Sequence, residues 1–139
     1  MQSLLNLQNV QNEKDTDKPG LAFLMSKASI PPEIKVEVQK LIDEFNREYF
    51  GEDVFKTFGI VGYSARFKSK FLYLDRDQHG SPSPICRLTW NGKMDNWDFA
   101  IYKYTDNRYA PDEWFFPGQE YVDGTVTGAM KAGMEVYPV

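Results

Sequence analysis

From Glu33 to Phe50 the apolar residues Ile34, Val38, Leu41, Ile42, Phe45 and Tyr49 recur at helical spacing, with Glu37, Lys40, Asp43, Glu44 and Arg47 mostly off that stripe. The pattern predicts one amphipathic helix. Pro31-Pro32 prepares its start, because a proline at the first helical position gives up no N–H that the helix needs. Gly51 stands where a left-handed C-terminal cap is expected. Beyond it the period shortens. Val61, Tyr63, Ala65 and Phe67 alternate with Gly62, Ser64 and Arg66, as in a half-buried strand. Gly59 and Gly62 fit a strand bulge better than a GxxG backbone-binding loop, which needs a helix on each side.

The stretch from Phe71 to Tyr104, FLYLDRDQHGSPSPICRLTWNGKMDNWDFAIYKY, reads as an antiparallel meander. Its strands are expected at Phe71–Arg76, Ile85–Trp90 and Trp97–Tyr104. Between them DQHGSPSP is expected to form a loop and Asn91-Gly92 a turn; Thr105 to Arg108 turns again. Within residues 109–116 a short edge strand is expected after Pro111, closed by Pro117-Gly118. Asp123 is the expected N-cap of a second helix, Gly124 to Ala132, stopped by Gly133, whose small residues suit close packing on the sheet.

Residues 1–30 read as a mobile or loosely docked N-terminal arm, and residues 31–139 as a single α+β domain. The predicted fold class is α+β: an antiparallel β-meander of about five strands, with one long N-terminal helix and one short C-terminal helix packed on it.

Alternation separates two faces of the meander. Leu72, Leu74, Cys86, Leu88, Trp90, Trp97, Phe99 and Ile101 fall on one face, apolar enough to be the core. The other face holds Phe71, Tyr73, Asp75, Ile85, Arg87, Thr89, Asp98, Ala100, Tyr102 and Tyr104. Tyrosines beside an arginine and aspartates give flat stacking surface with fixed hydrogen-bonding groups, a mixture suited to a peptide, a planar ligand or another copy of the chain.

Composition narrows the chemistry. A lone cysteine, Cys86, excludes an internal disulfide, and a lone histidine, His79, excludes a His-pair zinc site. Asp75-x-Asp77-x-His79-Gly80 opens like a calcium loop, but Cys86 stands where a bidentate glutamate is needed. Cys86 sits mid-strand on the core face, which suits a buried structural thiol rather than a nucleophile. No phosphate-binding glycine loop, nucleophile elbow or HExxH motif is present. The sequence leans against an enzyme, and no catalytic residue, cofactor or metal is predicted. No leader-like or membrane-spanning apolar run occurs, so a cytoplasmic protein is expected.

The net charge of −4 is uneven: residues 63–108 carry +3 between ends of −3 and −4. Overall acidity and the lack of an RNP-type motif disfavour nucleic acid, despite basic residues interleaved with aromatics in the sheet.

The run RLTWNGKMDNWDFAIYKYTDNRY (Arg87 to Tyr109), followed by VDGTVTGAMKAG (Val122 to Gly133), resembles small single-domain bacterial proteins of unknown function over roughly the last two-thirds of the chain. In these an arginine-led strand, a tryptophan strand and a C-terminal Asp-Gly helix follow one another. The resemblance implies no activity.

The functional expectation is a non-enzymatic binding or self-association module. Tyr73, Arg87, Asp98, Tyr102, Tyr104 and Trp114, the last on a Trp114-Phe115-Phe116 edge, are its candidate ligand- or partner-binding residues. The partner is expected to be a second copy in a homodimer, another protein or a small molecule. The alternative is a small-molecule binder or enzyme with a pocket lined by those tyrosines and by Arg87, Asp75 and Asp98; single-stranded nucleic-acid binding comes third.

Overall fold

In a computed structural model, described here for residues 29–139, five antiparallel strands form one sheet in chain order. They are β1 (Ile60–Lys68), β2 (Phe71–Gln78), β3 (Ser81–Thr89), β4 (Asp98–Lys103) and β5 (Arg108–Ala110). Helix α1 (Pro32–Tyr49) precedes them, a short α2 (Glu52–Phe58) links it to β1, and α3 (Val126–Val136) follows. The α+β meander with a long first helix and a short last one is therefore as the sequence predicts. The arm expected over residues 1–30 lies outside the described residues, its last two excepted.

The core lies between one sheet face and the helices. Leu72, Leu74, Cys86, Leu88, Trp97, Phe99 and Ile101 are buried there as the alternation requires, and Val38, Ile42 and Phe45 of α1 cover them. Asn46 fastens α1 to the sheet edge. Its amide donates to the Tyr63 carbonyl at 2.9 Å and accepts from the Tyr63 N–H at 2.8 Å, filling backbone positions that an edge strand otherwise leaves open. Gly62, at φ +120°, permits this approach, since a side chain there would strike the Asn46 amide.

Several expectations need correction. Gly51 is extended (φ −72°) and begins α2 rather than capping α1; the left-handed cap is Gly59, at the end of α2. Helix α2 was not expected, because a seven-residue helix that buries nothing leaves no apolar stripe in the sequence. The hairpin loop expected over residues 77–84 is mostly strand. Gln78 pairs with Ser81 and Asp77 with Pro82 around a two-residue turn, His79-Gly80, in which both residues have positive φ. Pro82 and Pro84 are tolerated because β4 pairs with β3 only from Cys86 onward, leaving this end of β3 without a second neighbour.

The edge strand lies before Pro111, not after it. Helix α3 is capped by Thr125, whose hydroxyl accepts from the Gly128 N–H at 2.9 Å, while Asp123 accepts from Thr125. It runs through Gly133 to Val136, and Gly133 serves close packing there, since a side chain at this position would strike Tyr63 and Ile85. Finally, a bulge between Leu74 and Asp75 sends Ile85 to the core side together with Cys86.

Candidate functional site

The face opposite the helices is built by register. Tyr73 of β2 lies between Arg66 of β1 and Arg87 of β3, Arg87 lies beside Ala100 of β4, and Tyr102 of β4 faces Tyr109 of β5. Because Ala100 is small, Tyr109 leans inward and completes a continuous aromatic row. Ring centroids are 5.3 Å apart for Tyr73–Tyr109, and 4.9 Å for both Tyr109–Tyr102 and Tyr102–Tyr104.

Two guanidinium groups are set into this row. Arg66 lies 4.7 Å above the Tyr73 ring and pairs with Asp75, whose carboxylate accepts from Nε at 2.6 Å and from Nη2 at 3.2 Å. Asp75 itself is only 4% exposed, so its charge is met inside the surface rather than by water. Arg87 lies 4.9 Å from the Phe71 ring and 5.5 Å from Tyr109, and its Nε is buried without a hydrogen-bond partner among the described residues. No ion pair joins Arg87 to a described residue. Asp98, exposed on the same face, likewise pairs with no described cation.

Hydrogen bonds fix the rest of the tyrosines. Tyr102 donates to Asn107 Oδ1 at 2.5 Å and Tyr104 to the Pro84 carbonyl at 2.7 Å, while Tyr137 from the chain end donates to the Tyr102 carbonyl. Partial burial raises the pKa values of Tyr104, Tyr109 and Tyr137 above the usual phenol value, and Arg66 partly opposes the rise at Tyr109. These phenols stay protonated at neutral pH and can donate.

The structure thus brings Tyr73, Arg87, Asp98, Tyr102 and Tyr104 onto one face. Trp114 lies apart. It is exposed, but its neighbour Phe116 stacks on Phe99 at 5.8 Å, on the core side of the sheet. Sequence reasoning left out Tyr109 and Arg66. Counting antiparallel pairs back across the turn at 104–107 places Tyr109 opposite Tyr102, and counting across Ser69-Lys70 places Arg66 opposite Tyr73. Misplacing the edge strand hid the first of these.

Tyr102 and Tyr104 also reach a cavity of about 260 Å³ shared with Phe116, Val136 and Tyr137. Arg87, Asp75 and Asp98 do not line it, so it is not the pocket that the alternative reading requires. The described residues contain no group of acidic, histidine and cysteine side chains placed to hold a metal ion, and no helix among them is long and apolar enough to cross a membrane. In comparisons with family models, curated proteins and solved structures, the chain matches none.

Proposed function

We propose that this chain is a non-enzymatic binding module of a reducing compartment such as the cytoplasm, and that the tyrosine–arginine face recognises a second copy of the chain. The observation that carries the reading is Arg87. Its guanidinium is held between two aromatic rings, pre-oriented and without a described anionic partner. Stacked arginines and tyrosines of this kind form the energetic centres of protein interfaces.

A second copy is favoured as occupant because the face is charge-complementary to itself. Arg87 and Asp98 stand on adjacent strands, and a two-fold contact repeats every pairing, so each protomer's cation can meet the other's anion. The lone cysteine, Cys86, is buried and its thiol is pushed up by burial first and by Asp75 second, which suits a structural role.

Charge reversal tests this. Arg87→Glu places like charges together and is expected to weaken self-association by at least about tenfold. Adding Asp98→Arg to the same chain is expected to restore much of that loss. Sedimentation velocity over a concentration series reads both. An Arg87→Glu protein that associates like wild type would remove this face from the interface.

A further inference from the structure

Arg76 is an arginine in an unusual position. It lies on β2 between Tyr63 of β1 and Ser83 of β3, on the core side of the sheet, and is 2% exposed. Its described partners are neutral. Nη2 donates to the Tyr137 carbonyl, Nη1 approaches the Met134 thioether at 3.8 Å, and the Tyr63 ring lies 6.0 Å from the guanidinium carbon. The Nε N–H is buried and has no partner among the described residues. No described carboxylate forms an ion pair with Arg76, and the nearest acids in sequence lie on the opposite face, Asp75 being taken by Arg66.

A guanidinium cannot shed its proton to escape burial, so its charge must be met by an anion or remain a standing penalty, to which a carbonyl and a thioether are a partial answer. Beside Arg76 is a cavity of about 420 Å³, and Arg76 is the one charged residue among the described residues that line it. Gln78, Ser83 and Tyr104 supply neutral polar groups, and Ile85 and Val136 supply an apolar wall. The volume lies in the range of small-ligand sites.

We infer that this cavity is a binding site for a small organic monocarboxylate, whose carboxylate meets the Arg76 guanidinium and whose short apolar body lies against Ile85 and Val136. A carboxylate matches the planar fork of a guanidinium. A phosphate, with more charge to neutralise, would call for further cations, and the cavity lining offers none. The site shares Tyr104 with the tyrosine–arginine face but includes neither Arg87 nor Asp98, and it does not depend on the role proposed for that face.

The test uses the full chain with butyrate and benzoate as probes and butyramide and benzamide as uncharged isosteres, at constant ionic strength. The readouts are the Arg76 Nε–H resonance and the melting temperature. Both carboxylates or either one are expected to move the resonance saturably and raise the melting temperature at concentrations up to about 10 mM, while the amides do neither. Ser83→Phe keeps Arg76 and fills the cavity, and is expected to weaken binding by at least about tenfold; Arg76→Met should abolish it. Should Arg76→Met not fold, Ser83→Phe carries the comparison alone. The inference is overturned if neither carboxylate acts, if the amides act equally, or if Ser83→Phe or a folded Arg76→Met binds as wild type does.

Discussion

Leu88 sits opposite Leu72 on one side and Phe99 on the other, all three out of water. Leu88→Ala is therefore expected to destabilise the fold by about 2–5 kcal/mol in chemical denaturation, while a negligible change would mean that the residue lies on the other face. Tyr63 is held differently. Its hydroxyl donates to the Met130 carbonyl at 2.8 Å, joining β1 to α3, and burial drives its pKa well above the ordinary 10.0. A phenol whose folded pKa is raised contributes stability in full below pH 10.0 and loses it as pH climbs from there toward the folded value. The melting temperature should fall steeply in that alkaline range. Tyr63→Phe should cost about 0.5–1.5 kcal/mol at neutral pH and make the alkaline fall shallower, though not flat, because Cys86 and the other raised tyrosines act with the same sign. An unchanged alkaline slope in Tyr63→Phe would contradict this account. Leu88 could be placed from alternation alone. The Tyr63 bond could not, because its acceptor lies on an element 67 residues away.

Among the elements, those with a strict period were legible: the stripe of α1 and the alternating runs of β2, β3 and β4. What escaped was set by partners rather than by pattern. Pro82 and Pro84 look like a loop until β3 is seen to lack a second neighbour at that end, and Gly133 looks like a helix stop until Tyr63 and Ile85 are seen against it. The bulge at Leu74/Asp75 breaks the parity that strict alternation assumes, and so alternation alone puts Ile85 on the wrong side. Asn46 shows the same dependence on a partner, since nothing in the helical pattern marks it as the residue that closes the edge of β1. Asn46→Ala leaves a backbone donor and an acceptor of Tyr63 unmet and is expected to cost about 1–3 kcal/mol, with faster amide exchange at Tyr63. Gln39→Ala, which removes an exposed contact to Asp43 on the same helix, serves as the control and should change little. Equal effects of the two would mean that Asn46 does not fasten the edge.

At the scale of the whole molecule, the sheet separates two kinds of chemistry. Its helix-covered side holds the apolar core and the buried Arg76, and its other side holds a row of tyrosines and stacked arginines. Most of the second side was visible in the sequence as the non-core positions of the meander, because alternation fixes the face of a residue before its neighbours are known. How those side chains meet was not visible. The lean of Tyr109 over Ala100, the pairing of Arg66 with Asp75 and the stacking of Arg87 all depend on the register of five strands. The proposal that this side is an assembly surface meets its most direct test in the molar mass measured by light scattering across a concentration series, with wild type and Tyr102→Glu side by side. A wild-type dimer that becomes a monomer in Tyr102→Glu, with the melting temperature little changed, is the predicted result. A wild type that stays monomeric at every concentration, or a dimer indifferent to Tyr102→Glu, would contradict it.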